Sequence, residues 1–182
     1  MKEINYWLMK LRYRLSGSNK EVISDYFRKM GMHIGKDCNI CTNITTTEPY
    51  LIHLGNNVTL AGGCHLVTHD NCVSKILPNT TDLFGDIRIG DNCFVGSYSI
   101  IMYGVTLADN IVVAAGSVVT KSFNQERIII GGNPARVIGD WDSFISKYSD
   151  CAFNLNEILS DEFQKNIESS AKLITRRNGC GE

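Results

Sequence analysis

From Ile89 onward an aliphatic residue opens every block of six: Ile89, Val95, Ile101, Leu107, Val113 and Val119. Aliphatic residues are roughly a quarter of average usage, so six in phase arise by chance on the order of once in 4,000 trials. The second place is mostly small, as at Gly90, Gly96, Ala108 and Ala114. The fifth is small or apolar: Cys93, Ser99, Val105, Ile111, Ser117 and Phe123. The same template fits upstream, with blocks opening at Ile34, Ile40, Leu54, Leu60 and Leu66. Between Ile40 and Leu54 the phase slips by two residues, around 47–49. Between Leu66 and Ile89 it is lost, which marks an extruded loop over residues 70–86.

A period of six suits neither an amphipathic helix nor simple alternation along a strand. It predicts a solenoid whose faces are short strands and whose corners recur every six residues, three blocks to a triangular coil. Positions one and five then point inward, and a narrow interior favours a large residue beside a small one. Cys38, Cys64 and Cys93 fall at position five, a structural place for small apolar groups. His33, His53 and His65 fall at position six, on the outside. Gly or Ala at position two is expected to ease the turn. The expected fold is mainly β, a parallel β-helix over residues 32–138 with helical segments at 1–31 and 139–182.

In the N-terminal segment Ile4, Leu8, Leu11 and Leu15 share one helical face. Val22, Ile23, Tyr26, Phe27 and Met30 form a second stripe after the break at Gly17 and Ser18. A solenoid needs its open end covered, so this segment is expected to cap the first coil. Lys10, Arg12, Arg14, Arg28 and Lys29 also make it basic, which suits peripheral contact with an anionic membrane surface. In the tail, Trp141, Phe144, Ile145 and Tyr148 recur at helical spacing. Leu155, Ile158, Leu159, Phe163, Ile167, Ala171 and Ile174 do so again, with Asn156 as N-cap and Arg176 and Arg177 near the end.

Composition changes the picture little. Hydrophobic residues make up 43% and charged residues 20%, with net charge −1, so bulk electrostatics give no ground for a nucleic-acid partner. No apolar run approaches the ~20 residues that span a bilayer. The N-terminus lacks the uninterrupted apolar core of a signal peptide, and the expected location is cytoplasmic. Seven cysteines without an export signal argue for reduced thiols. Cys38 and Cys41 form one CxxC, a pattern for a metal or redox pair. Position five accounts for Cys38 without either, and no metal site is expected.

Three features follow one another in order. They are the repeat, a histidine-bearing break between coils (LVTHDN, then IRIGDNCFVGS), and AAGSVVTK followed by GGNPARVI. Over about residues 34–138 the chain resembles the hexapeptide-repeat acyltransferases, in particular the galactoside, maltose and polysaccharide O-acetyltransferases. The resemblance implies a left-handed parallel β-helix and a homotrimer with sites between subunits. It implies direct transfer from acetyl-CoA to an acceptor hydroxyl, without a metal.

His69 then corresponds to the general base. An unperturbed imidazole titrates near physiological pH and can take a hydroxyl proton and release it again. Its second ring nitrogen needs a partner. Asp70 is adjacent, but neighbours in extended chain point apart; a backbone carbonyl is the alternative. By motif, Ser97 stands beside the thioester end, the Ala115 backbone along the pantetheine arm, Thr120 and Lys121 towards the far end, and Arg136 at a phosphate. Phe94 stands where many members have Trp. The family's acceptor-contacting Asn falls at Cys41 here, with Asn43 two residues on. Asn43, Glu48 in the phase slip, and Asp70 are the acceptor-side candidates. The expected acceptor is a sugar or polysaccharide. The alternatives are N-acetylation of an amino sugar on a nucleotide, a γ-type carbonic anhydrase, which needs three imidazoles on one zinc, and a non-catalytic scaffold.

Overall fold

The computed structural model describes residues 2–153 together with Ile167 and Ile174. The chain divides into two units, Met1–Asp140 and Trp141–Glu182.

The first unit begins with two helices, α1 (Lys2–Leu15) and α2 (Glu21–Lys29). Parallel sheets of very short strands follow. One sheet contains β1 (His33–Ile34), β3 (Ile52–Leu54), β8 (Ile87–Ile89) and β11 (Thr106–Leu107). A second contains β2 (Asn39–Ile40), β4 (Thr59–Leu60), β9 (Phe94–Val95), β12 (Val112–Val113) and β14 (Ile128–Gly131). A third contains β5 (His65–Leu66), β10 (Ile100–Ile101) and β13 (Val118–Val119). β6 (His69–Asp70) and β7 (Leu83–Phe84) form an antiparallel pair at the root of the loop. β15 (Arg136–Asp140) turns back antiparallel to β14 after the cis Asn133–Pro134 bond.

The registers translate the sequence period into coils. Phe94 pairs with Val112, and Ile100 with Val118, a spacing of 18 residues or three blocks of six. His33 pairs with His53, a spacing of 20, so the two extra residues are those of the phase slip. They are taken up beside a 3-10 turn at Pro49–Leu51. Thr59 pairs with Phe94, a spacing of 35, which contains the extruded loop.

The interior is that of the six-residue template. Position one is buried at Ile40, Leu54, Leu60, Leu66, Ile89, Val95, Ile101, Leu107, Val113 and Val119, whereas Ile34 in the first coil is half-buried. Position five is buried at Cys38, Val58, Cys64, Cys93, Ser99, Val105, Ile111 and Ser117. Burial pushes the Cys93 thiol up to about 11 and raises Cys38 and Cys64 as well, which makes them poor thiolates. Cys41, the other half of the CxxC, is exposed.

The corners have a different cause from the expected one. Position four carries the left-handed backbone: Asn57, Asn92 and Asn110 have φ of 53°, 55° and 60°. Asn adopts this conformation more readily than most residues. The same side chains form a ladder up the corner, Asn57 Nδ2 to Asn92 Oδ1 at 2.7 Å and Asn92 Nδ2 to Asn110 Oδ1 at 2.8 Å. Small residues at position two answer to the approach of the next coil instead. A Cβ on Gly96 would meet the Ala115 nitrogen at 2.5 Å, so packing between coils, not turn conformation, demands glycine there.

α2 packs on β1 and β2, the first coil. Arg28 ties it down: its Nε donates to the Ile34 carbonyl at 2.9 Å, and its Nη1 bonds Glu21 and Asp25 at 2.8 Å each. α1 contributes Met9, 5% exposed, to the same core. Its Leu8, Leu11 and Leu15, which share one helical face, are exposed.

In the second unit α3 spans Trp141–Tyr148 and a 3-10 turn follows at Ser149–Cys151. The rings of Phe144 and Tyr148 are 4.6 Å apart, and with Ile145 and Ile174 they line an apolar cavity. The later tail residues expected to be helical, including Leu155, Ile158, Leu159, Phe163, Ala171, Asn156, Arg176 and Arg177, lie outside the described residues. No helix among the described residues is long and apolar enough to cross a membrane.

Candidate active site

The block pattern ends at Leu66, and three residues later the chain leaves the coil. His69 is the first residue of β6, so it sits at the root of the loop, off the three parallel sheets. Across the antiparallel pair its ring lies 5.7 Å from that of Phe84. Its Nδ1 lies 2.8 Å from Oε2 of Glu48, which the phase slip in the previous coil delivers.

Glu48 is bound from several sides. Thr68 Oγ1 donates to Oε2 at 2.9 Å, Thr47 Oγ1 bonds Oε1, and Thr46 Oγ1 reaches Oε2 at 3.5 Å. Hydrogen bonds from Thr47, Thr68 and His69 hold its carboxyl below the usual carboxylate range despite burial. Its side chain is 12% exposed and that of His69 40%. An ionised carboxylate only accepts, so Nδ1 carries the proton in this pair. The Nε2 lone pair of a neutral imidazole is then free to accept one.

Two adjoining hollows open at His69. One, about 180 Å³, is lined by Asn43, Thr45, Cys64, Leu66, Val67 and His69 among others. The other, about 380 Å³, is lined by Asn43, Thr45, Thr46, Thr47 and His69, with Tyr26 and Met30 from the α2 end. Asn43 therefore shares the cavity with His69. Asp70 does not contact the imidazole; its Oδ1 accepts from the Cys72 nitrogen at 2.8 Å and shapes the start of the loop. Glu48, placed on the acceptor side by the sequence, is the imidazole's partner.

The four imidazoles do not converge. His33 and His53 stack face to face at 4.5 Å on the first sheet, and His65 is exposed on the third. Among the described residues no group of three or more His, Cys, Asp or Glu side chains could hold a metal ion.

Residues 86–121 match the family model described as the hexapeptide repeat of succinyl-transferase. Protein CapG of Staphylococcus aureus is 40% identical over 161 residues, covering 81% of this chain and 92% of that protein. The galactoside O-acetyltransferase of Escherichia coli K12 is 32% identical over 134 residues, covering 72% of this chain and 66% of that protein. The chain belongs to the hexapeptide-repeat acyltransferases. A solved maltose O-acetyltransferase from Clostridium difficile 630 matches with a TM-score of 0.57 at 28% identity, covering 76% of this chain and 84% of that one.

The donor-side candidates of this acyltransferase lie on later coils. Ser97 and Ala115 stack in one corner, where the Gly116 nitrogen donates to the Ser97 carbonyl at 2.8 Å. Thr120 and Lys121 follow β13 and are exposed, with Lys121 Nζ 5.4 Å from the centre of the Phe123 ring. Arg136 opens β15, exposed, its Nη1 donating to the Ala135 carbonyl at 2.8 Å. None of the five lines either hollow at His69. Within one chain, the structure gathers His69, Glu48 and Asn43 and leaves the donor-side residues apart from them.

Proposed function

We propose that this acyltransferase moves the acetyl group of acetyl-CoA directly to a hydroxyl of a saccharide, a polysaccharide or its precursor, with His69 as general base. The carrying observation is the 2.8 Å contact between His69 Nδ1 and the Glu48 carboxylate. It leaves Nε2 as the basic nitrogen of the neutral ring. The acceptor hydroxyl loses its proton to Nε2 as its oxygen attacks the thioester carbonyl. The tetrahedral adduct collapses, the C–S bond breaks, and the imidazolium returns the proton to the departing thiolate. Glu48 keeps its charge throughout and stabilises the imidazolium, a division of labour familiar from carboxylate–histidine pairs. The O-acetyltransferase relatives support the reaction type.

The three sheets close, in this reading, into a left-handed triangular prism. Its faces are flat, and a flat face cannot by itself bury a cofactor-sized donor. Three prisms packed in parallel supply the missing wall, so that His69 of one subunit faces the donor groove of the next. That arrangement explains why Ser97, Ala115, Thr120, Lys121 and Arg136 do not line the hollow of their own His69. Asn43 and the rim near Asp70 would contact the acceptor. Ile76, Leu77, Leu83 and Phe84 expose apolar surface on the loop, suited to the apolar face of a sugar ring or to a neighbouring subunit. The test is thiol release from acetyl-CoA across a panel of saccharides, with mass spectrometry of the product. An ester on a sugar oxygen supports the reading; an amide alone, or no release with any sugar, overturns it.

A further inference from the structure

α1 carries two apolar stripes of equal helical spacing, and only one of them packs. Met9, Tyr6 and Tyr13 pack inward, with the Tyr6 ring 6.1 Å from Tyr26 and 6.4 Å from Phe27. About half a turn away, Trp7, Leu8, Leu11 and Leu15 are 66%, 51%, 40% and 79% exposed. At 3.6 residues per turn these four fall in one sector of the helix. Lys10 and Arg14 run along one border of that sector, and Arg12 along the other. Residues 5–15 hold these three cations and no carboxylate, in a chain whose net charge is −1. Arg12 and Arg14 have no ion pair among the described residues. Lys10 rests its ammonium 5.7 Å from the Tyr6 ring.

We propose that this face of α1 docks on an anionic lipid bilayer. An indole and three leucines between cationic borders match the two layers of a membrane interface, acyl chains beneath and anionic headgroups above. A second copy of the chain fits less well, because a two-fold contact on this stripe would bring arginine borders together. Position adds to the case. α2 covers the first coil, so α1 lies at one end of the stack of coils. In the parallel trimer, which rests on the reading above, three such helices share that end and meet one plane together. Weak individual contacts then act as one. α2 also lines the hollow at His69 through Tyr26 and Met30, so docking would present that hollow to acceptors at the bilayer surface.

The experiment uses the full chain with Trp141→Phe, which leaves Trp7 as the one tryptophan of two. It compares vesicles of phosphatidylcholine alone with vesicles that also contain phosphatidylglycerol. The expected result is co-sedimentation and a blue shift of Trp7 emission with the anionic vesicles only, both weakening as salt rises. Leu11→Ser with Leu15→Ser, and separately Arg12→Gln with Arg14→Gln, should each lower partitioning by about tenfold while transfer to a soluble acceptor continues. Absence of binding to anionic vesicles, or equal binding to neutral ones, would overturn the proposal. So would a fall in sedimentation mass in the leucine variant, since a second copy would then cover the stripe. Vesicle binding that persists in a protein unable to release thiol from acetyl-CoA would count against the proposed reaction and leave this inference standing.

Discussion

Glu48 and His69 meet at 2.8 Å although they stand 21 positions apart and on different coils. The meeting depends on two departures from the repeat. The two-residue slip brings Glu48 to the side of the coil, and the break after Leu66 turns His69 off the sheet. Each departure alone would leave its residue without the other.

Replacing Glu48 by Gln removes the charge and lets the amide present either its oxygen or its nitrogen to the ring. The expected result is a kcat lower by roughly tenfold or more, with the KM for acetyl-CoA nearly unchanged, because the imidazole loses a fixed tautomer. Steady-state kinetics check this. Unchanged turnover would remove Glu48 from the mechanism.

The same substitution has a consequence for stability in acid. Folding holds the Glu48 carboxyl below its ordinary range through Thr47, Thr68 and His69. A depressed carboxyl contributes stability that is complete above its unfolded pKa, about 4.3, and lost as pH falls through the lower folded value. Thermal melts between neutral pH and about pH 3 should therefore decline less steeply in Glu48→Gln than in the parent. Equal slopes would mean that the carboxylate contacts contribute nothing to folding.

Glycines at coil contacts separate two physical roles. A Cβ on Gly96 would reach the Ala115 nitrogen at 2.5 Å, whereas one on Gly62 meets nothing within 4 Å. Gly96→Ala should cost about 1–3 kcal/mol by forcing coils apart. Gly62→Ala should stay within about 0.5 kcal/mol. Urea denaturation of both variants tells whether inter-coil spacing or turn conformation governs these positions.

Much of the coil was legible because its interior is a local pattern. The block period marked Leu60, Val95 and Val113 as buried, and the two-residue slip reappears as the 20-residue spacing of His33 and His53. What stayed hidden depends on contacts between coils. Gly96 looked like a turn residue because its neighbour Ala115 is a full coil away in sequence. The turn itself lies at Asn92 and its counterparts, where αL-tolerant residues recur at position four. His69 announced itself by breaking the pattern; its partner did not, since nothing local to Glu48 points to residue 69. In α1 the stripe Leu8, Leu11 and Leu15 and the stripe Tyr6, Met9 and Tyr13 have the same spacing, and only packing shows which is inward.

The proposed donor groove between subunits requires an oligomer. Sedimentation equilibrium at micromolar concentration is expected to give three times the chain mass of 20.3 kDa. A monomer at that concentration would contradict the shared site.

Lys121 and Arg136 are proposed to meet the donor's phosphates, which do not change during transfer. Contacts of this kind bind ground and transition states alike. Lys121→Ala and Arg136→Ala should therefore raise the KM for acetyl-CoA more than they lower kcat. Loss of kcat alone, with KM unchanged, would move the donor off the final coils.

The most direct test is His69→Ala, with transfer and donor binding measured on the same preparation. Calorimetric titration with acetyl-CoA should show affinity close to that of the parent, since the proposed donor groove lies on later coils. Thiol release with a saccharide acceptor should fall by roughly 10²–10⁴-fold, the ordinary contribution of a general base. A variant that keeps more than about a tenth of parental turnover would contradict the assignment of His69, and with it the mechanism.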